Sequence, residues 1–363
     1  MPDSGLHAQE PLQERTPSRR ARPLRILAIT NAYPIAEAPA SGIFIEQQIK
    51  SLRDVGLQID LMFVDRLRQG MRVYFGLRDS LRSQLEKFQP DLVHVMYGGV
   101  MADIATRAVD DRPTIVTFHG SDLLGEPMSR PLRRGFARYG VWASWRAARR
   151  ATRVIAVASR IRNALPQDLD QSKVCTIPCG IDLERFKPLS RRQCRQQLGW
   201  NSDMFHILFP ANLGDPVKRP ELAEATLGPL KQLGITAEMH YLRRIPNELV
   251  PLWLNASDVL LLTSRHEGSP TVVKEALACN VPIVSVDVGD VPERINGIDG
   301  CYLARPEAAD LATKLSLIYS GHRRVAGRAK ITELSLDRVS LRLKYLYEDV
   351  VHLQSTDQLR SSQ

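Results

Sequence analysis

The segment HEGSPTVVKEALACN, residues 266–280, stands one residue beyond the apolar run DVLLLTS at 258–264. A short apolar run bounded by turn-forming residues has the length of a buried strand. The Gly-Ser-Pro step that follows reads as a loop, and Pro270 is expected in the first turn of a helix, where proline is well tolerated. That helix is predicted over Thr271–Ala278. Strand, loop and helix in this order make one βαβ unit of a parallel sheet. The same stretch sets two carboxylates, Glu267 and Glu275, on either side of the helix start.

The free N–H groups and the dipole of a helix N-terminus suit a phosphate. Glu275 would lie about 7–8 Å along the axis from Pro270, at 1.5 Å per residue, while Glu267 stays in the loop. A nucleoside diphosphate sugar has a matching layout: a hydroxylated ring, a diphosphate and a hydroxylated ribose. A carboxylate accepts two hydroxyl hydrogen bonds at once, and Gly268 lets a ligand approach the backbone. The plainer reading makes Glu267 an incidental loop residue and puts Glu275 on a solvated helix face. The pair alone leaves both readings open.

Outward from this stretch, the chain alternates short apolar runs with amphipathic segments. LRILAIT (24–30), QIDLMFV (58–64), DLVHVMY (91–97), TIVTFHG (114–120), RVIAVAS (153–159) and KVCTIP (173–178) are predicted strands of a first half. HILFPAN (206–212), ITAEMHYL (235–242), DVLLLTS, PIVSVDV (282–288) and CYLA (301–304) are predicted strands of a second. A helix is expected from about Pro220 to Leu233, and a helical tail over 307–354. The segment 179–203, rich in Gly, Pro and charge, reads as an interdomain connection. The fold class is α/β, with two Rossmann-like domains facing across a cleft: a disordered leader at 1–23, an N-terminal domain at 24–188, a C-terminal domain at 189–320 and a helical segment and tail at 321–363. Open α/β sheets bind ligands beyond the carboxyl ends of their strands, so functional residues are expected just after strands.

The chain has 363 residues, 44% apolar and 25% charged, the balance of a soluble globular protein. No stretch approaches the roughly 20 uncharged apolar residues of a membrane span, and the N-terminus lacks the apolar core of a secretory signal. Five cysteines, Cys175, Cys179, Cys194, Cys279 and Cys301, form no Cys/His pattern with zinc-site spacing. Reduced thiols of a cytoplasmic protein, with no bound metal, are the expectation. The net charge is +9. Eight arginines and no acidic residue fall between Met128 and Arg153, with Trp142 and Trp145 among them. Charge alone admits nucleic acid, an anionic membrane or an anionic substrate. No nucleic-acid recognition module accompanies the arginines, so nucleic acid is not expected. Two readings of 128–153 remain: an amphipathic helix with Phe136, Tyr139, Trp142 and Trp145 packed inward, or a surface that docks on an anionic membrane.

EGSPTVVKEALACNVPIVSVDVGDVPERI (267–295) resembles the signature of glycosyltransferase family 4, retaining enzymes of the GT-B fold. Four further elements resemble the family in the same order: SGIFIEQQIKSLRDVG (41–56), FHGSD (118–122), the pair VIAVASRIRNAL and IPCGIDLERFKP (154–165, 177–188), and PVKRPELAEA (216–225). The resemblance implies a C-terminal helix that returns to the N-terminal domain. It implies that Glu275 binds the donor ribose, that Glu267 and His119 face the transferred sugar as catalytic residues, and that Lys218 neutralises the leaving diphosphate, a role that a fixed cation performs well. Arg219, Gly268, Ser269, Thr271 and Val272 would complete the donor site. Gly42 would let its loop approach the donor or the acceptor, and Asp122 would meet an acceptor hydroxyl, although a turn cap explains it equally. The family's arginine beside its lysine is missing from 211–216, with Arg219 as the stand-in, and Pro270 removes one backbone donor.

The implied reaction moves a sugar from a UDP- or GDP-linked donor to a glycan or lipid-linked acceptor, in cell-surface polysaccharide biosynthesis. Departure and attack on the same face are expected, with no metal or cofactor. The enzyme would act in the cytoplasm, peripherally on the membrane. A sugar-nucleotide epimerase or hydrolase of the same fold, and a non-catalytic nucleotide-sugar-binding scaffold, are the alternatives.

Overall fold

The computed structural model describes residues 22–109, 111–125, 131–211, 216–321 and 324–361. Most of the leader, residues 128–130 at the start of the arginine-rich segment and the loop 212–215 therefore lie outside the described residues.

Each of the eleven apolar runs forms a strand. In the first half, β1 (Arg25–Thr30), β2 (Gln58–Phe63), β3 (Leu92–Val95), β4 (Thr114–Phe118), β5 (Arg153–Ala156) and β6 (Val174–Thr176) build one sheet in the order β2-β1-β3-β4-β5-β6. In the second, β7 (Phe205–Phe209), β8 (Ala237–Tyr241), β9 (Val259–Leu262), β10 (Ile283–Val286) and β11 (Tyr302–Ala304) build another in the order β11-β10-β9-β7-β8. Every ladder is parallel. Residues of β3, β4, β7, β9 and β10 are buried throughout. Helices cover both faces of such sheets, which is why their strands read as continuous apolar runs.

The chain crosses between the halves twice, side by side: the Ile181 N–H donates to Leu334 O at 2.8 Å and the Leu336 N–H to Ile181 O at 2.9 Å. The helix Leu336–Ser361 then returns to the first half. Val339, Leu343, Tyr347 and Val350 are buried in the core beneath β1 and β3, and the Tyr347 hydroxyl meets His94 Nδ1 at 2.7 Å. The expected return is therefore driven by an apolar face that only the first sheet can cover.

Three local expectations change. The segment after Cys179 is no loose connector: Ile181 and Phe186 enter the core of the second half, and Arg191–Leu198 is a helix capped by Ser190. The helix expected over 220–233 is two, Pro220–Glu224 and Leu227–Gln232, because Pro229 has no N–H to continue the ladder. The tail breaks into Ala308–Gly321, Gly327–Lys330 and Leu336–Ser361. The break carries Gly327 against Leu277, which a Cβ at Gly327 would approach to 2.8 Å.

Candidate active site

The two halves meet loop to loop. A Cβ on Gly268 would stand 1.5 Å from His119 O, and one on Gly120 would stand 3.0 Å from Gly268 N. The turn after β4 thus touches the loop after β9, and only glycine permits the approach. Behind Gly268, Gly289 takes a left-handed backbone (φ 55°), and its Cβ would lie 2.5 Å from Gly268 O. The Arg160 guanidinium adds an exposed ion pair across the halves, 2.7 Å from Asp287.

Glu267 is gripped from two sides. Its Oε1 is 2.5 Å from Lys218 Nζ and 2.7 Å from Ser264 Oγ. The Lys218 backbone is tied to the same loop, since the Thr263 hydroxyl donates to Lys218 O at 2.7 Å and the Arg265 N–H to Val217 O at 2.7 Å. Arg219 has a left-handed backbone (φ 54°). Its Nε donates to Thr263 O at 2.5 Å and its Nη2 to Ser264 O at 3.3 Å. The helix Thr271–Ala278 begins where expected, but Pro270 is its N-cap (φ −63°, ψ 117°), outside the first turn. Thr271 and Val272 supply two of the amides that a helix start leaves without internal partners. At the ends of β9, β10 and β11 a cavity of about 650 Å³ opens, bordered by Arg219, Ser264, Val288, Arg305 and Lys314.

Glu275 is half-buried on that helix. Burial pushes its carboxyl up to about 7, against the pull of Arg185 and Lys274. The Arg185 Nη2 is buried and has no hydrogen-bond partner among the described residues. Lys274, fully buried, donates from Nζ to Cys179 O at 3.0 Å and so ties this helix to the crossing chain. Burial lowers its ammonium's pKa.

On the opposite side, His119 Nε2–H donates to Met96 O at 3.0 Å, and Nδ1 faces Cys179 Sγ at 3.6 Å. Phe44 and Tyr97 hold the ring at centroid distances of 4.9 and 5.4 Å. Burial drops the imidazole to about 4, so the ring is neutral at neutral pH. Asp122 is buried, and its carboxylate accepts from the N–H groups of Gly98, His119 and Gly120 at 2.8–3.1 Å.

Residues 46–185 match Glycosyltransferase Family 4 and residues 213–320 match Glycosyl transferases group 1, together about two-thirds of the chain. The chain belongs to glycosyltransferase family 4. The glycosyltransferase TuaC of Bacillus subtilis, named for teichuronic acid biosynthesis, is 27% identical over 330 residues, which span 74% of this chain and 82% of TuaC. D-inositol 3-phosphate glycosyltransferase of Actinosynnema mirum is 29% identical over 184 residues, 41% of this chain and 44% of that protein. Sucrose-phosphate synthase of Thermosynechococcus elongatus superposes with a TM-score of 0.77 at 16% identity, over 91% of this chain and all of that one. Anabaena HepE, solved with UDP-glucose, gives 0.68 at 16% identity, over 90% of this chain and all of HepE. These structural neighbours share the GT-B fold.

In this glycosyltransferase the structure gathers Lys218, Glu267, Gly268 and His119 at one place and sets Glu275 on the helix behind it. Four of the expected site residues also hold local contacts that the sequence did not show. Arg219 borders the cavity, and its Nε and Nη2 donate to loop carbonyls, which fixes the side chain there. The Ser269 hydroxyl donates to Asp290 Oδ2 at 2.7 Å, which makes it a tie to the next loop. Asp122 clamps the His119 turn from below, the turn-cap alternative, because backbone donors take its oxygens. Gly42 is required locally: it caps the helix Ile43–Asp54 at φ 66°, and a Cβ there would sit 2.2 Å from Ala32 O. His119 keeps its place, but with both ring nitrogens facing protein groups and no charge, its carbonyl is the group turned toward Gly268. Sequence reasoning missed Lys274. A helical wheel would have found it, since Lys274 shares a stripe with the buried Pro270, Leu277 and Ala278.

Proposed function

We propose that this glycosyltransferase takes a sugar from a nucleoside diphosphate donor, UDP- or GDP-linked, and transfers it with retention to a glycan or lipid-linked acceptor in polysaccharide assembly. The observation that carries the reading is the Lys218–Glu267 pair at 2.5 Å, set between the helix start at Thr271 and the cross-domain contact of Gly268 with His119. The diphosphate rests on the amides of Thr271 and Val272, and Lys218 swings from Glu267 to the leaving phosphate. Glu267, released, accepts from hydroxyls of the transferred sugar, while Glu275 accepts from the ribose. A fixed cation and oriented amides stabilise charge that develops on the departing oxygen, so these residues supply the charge work that a metal performs elsewhere. With Glu267 engaged by sugar hydroxyls, no other carboxylate described here is poised as a nucleophile. Departure and attack on one face follow, assisted by the leaving phosphate. TuaC's name and the UDP-glucose complex of HepE support the acceptor and donor classes.

We further propose that the first half docks on an anionic membrane at the cytoplasmic side. Among the described residues no helix is long and apolar enough to cross a membrane. The helix Pro131–Arg150 does not pack its aromatics inward as an amphipathic core helix would. Phe136, Tyr139, Trp142 and Trp145 are exposed, as are Leu67, Met71 and Phe75 of the same half. Arg146 lies 4.5 Å above the Trp142 ring. Aromatics interleaved with arginines suit the headgroup layer.

The test incubates the protein with radiolabelled UDP- and GDP-sugars, with and without a lipid-linked acceptor. Label entering the acceptor supports the reading. Donor consumption without acceptor would assign an epimerase or hydrolase, and binding without turnover a scaffold.

A further inference from the structure

On the edge of the second sheet the fold assembles the one group of three metal-ligating side chains among the described residues. His206 on β7 is the register partner of Glu238 on β8. His240, two residues beyond Glu238, projects from the same face of that strand. His206 Nδ1 lies 2.8 Å from His240 Nε2. A Glu238 carboxylate oxygen lies 3.7 Å from the first nitrogen and 3.8 Å from the second. The point equidistant from the corners of a triangle with these sides is about 2.0 Å from each, the length of Zn–N and Zn–O bonds.

Tautomer and orientation agree with that geometry. His206 Nε2 stands 2.6 Å from Asn201 O. A carbonyl only accepts, so the proton is on Nε2 and the Nδ1 lone pair, which here accepts from His240 Nε2–H, is the one offered to an ion. A carbonyl on the far nitrogen is how proteins orient metal-bound imidazoles. The His240 ring is stacked on Trp200 at 3.5 Å and 6°, with the Trp253 ring edge-on. Both histidines are buried, while the Glu238 side chain is 46% exposed, so a solvent path reaches the centre.

We propose that His206, Glu238 and His240 bind one divalent first-row transition-metal ion, zinc in the first instance, with water as the fourth ligand. The ion ties the edge strand β8 to β7 beneath Trp200. Its role is structural and separate from the Lys218–Glu267 site. His240 moves its proton to Nδ1 as the ion takes Nε2.

The test uses the full chain stripped with a chelator and dialysed. Zinc is titrated by calorimetry, bound metal is counted by mass spectrometry, and cobalt(II) serves as the spectroscopic probe. The expected result is one equivalent of zinc, a rise in Tm with zinc concentration, and cobalt d–d bands without a thiolate charge-transfer band. Glu238→Gln, at an exposed position that does not threaten folding, should weaken binding about tenfold or more, and His240→Gln should abolish it. No stoichiometric zinc in the wild-type chain, unchanged affinity in Glu238→Gln, or a thiolate band from the cysteines would each overturn the assignment.

Discussion

Replacing Glu275 by Gln separates what the site does for the donor from what it costs the fold. In the folded chain burial moves the Glu275 carboxyl from 4.5 to about 7. Below about pH 4.5 the group is neutral in both states and contributes nothing. Between pH 4.5 and 7 the unfolded chain ionises first, so the folded state loses ground. Above pH 7 the loss levels off at about 3 kcal/mol, at 1.36 kcal/mol per pH unit. That is an upper figure, since a half-buried carboxylate retains some solvent. The glutamine amide would keep the volume and could not ionise. Glu275→Gln should therefore match the wild type near pH 4.5 and grow progressively more stable to pH 7. At about 2–4 °C per kcal/mol for domains of this size, the gain in Tm reaches roughly 6–12 °C. Scanning fluorimetry from pH 4.5 to 8 reads this directly, and repeating it with UDP reads the second half. UDP should raise Tm in the wild type and do little in the variant, whose amide grips ribose hydroxyls less well. A Tm difference that stays flat across this range would refute the burial argument. An equal response to UDP would refute the ribose contact.

Gly268→Ala tests the closure between the halves. The Gly268 backbone is one that alanine accepts, but the new Cβ would stand 1.5 Å from His119 O. The loops must part by about 1.9 Å to reach ordinary contact, and misplacement on the 1 Å scale costs about 10²-fold in rate. A kcat drop of that order with little change in Tm is expected; wild-type turnover would show that the contact is not part of the reacting state. Lys218→Ala should lower kcat about 10²–10³-fold, the usual cost of losing one preorganised charge-stabilising group, with a smaller change in donor binding measured by calorimetry. Trp142→Ala with Trp145→Ala should release the protein from anionic vesicles in a flotation assay while leaving transfer to a short water-soluble acceptor unchanged. Equal flotation of variant and wild type would remove the helix Pro131–Arg150 from the docking surface.

All eleven strands, the helix Thr271–Ala278 and the Glu267/Glu275 spacing were legible in the sequence, because each is encoded in a few consecutive residues. An apolar run makes a strand whatever lies elsewhere, and Gly-Ser-Pro before a helical pattern marks a helix start. The partners of the functional groups were not legible. Lys218 meets Glu267 across 49 positions, Lys274 meets Cys179 across 95, and His206 meets His240 across 34. Such pairs exist only once two sheets have stacked their loops, and the same burial sets the charge states: His119 neutral, Glu275 slow to ionise. Side-chain identity and local pattern are properties of the chain. Proximity and dielectric surroundings are properties of packing, and packing alone decided which charged residues face the cleft and which brace it.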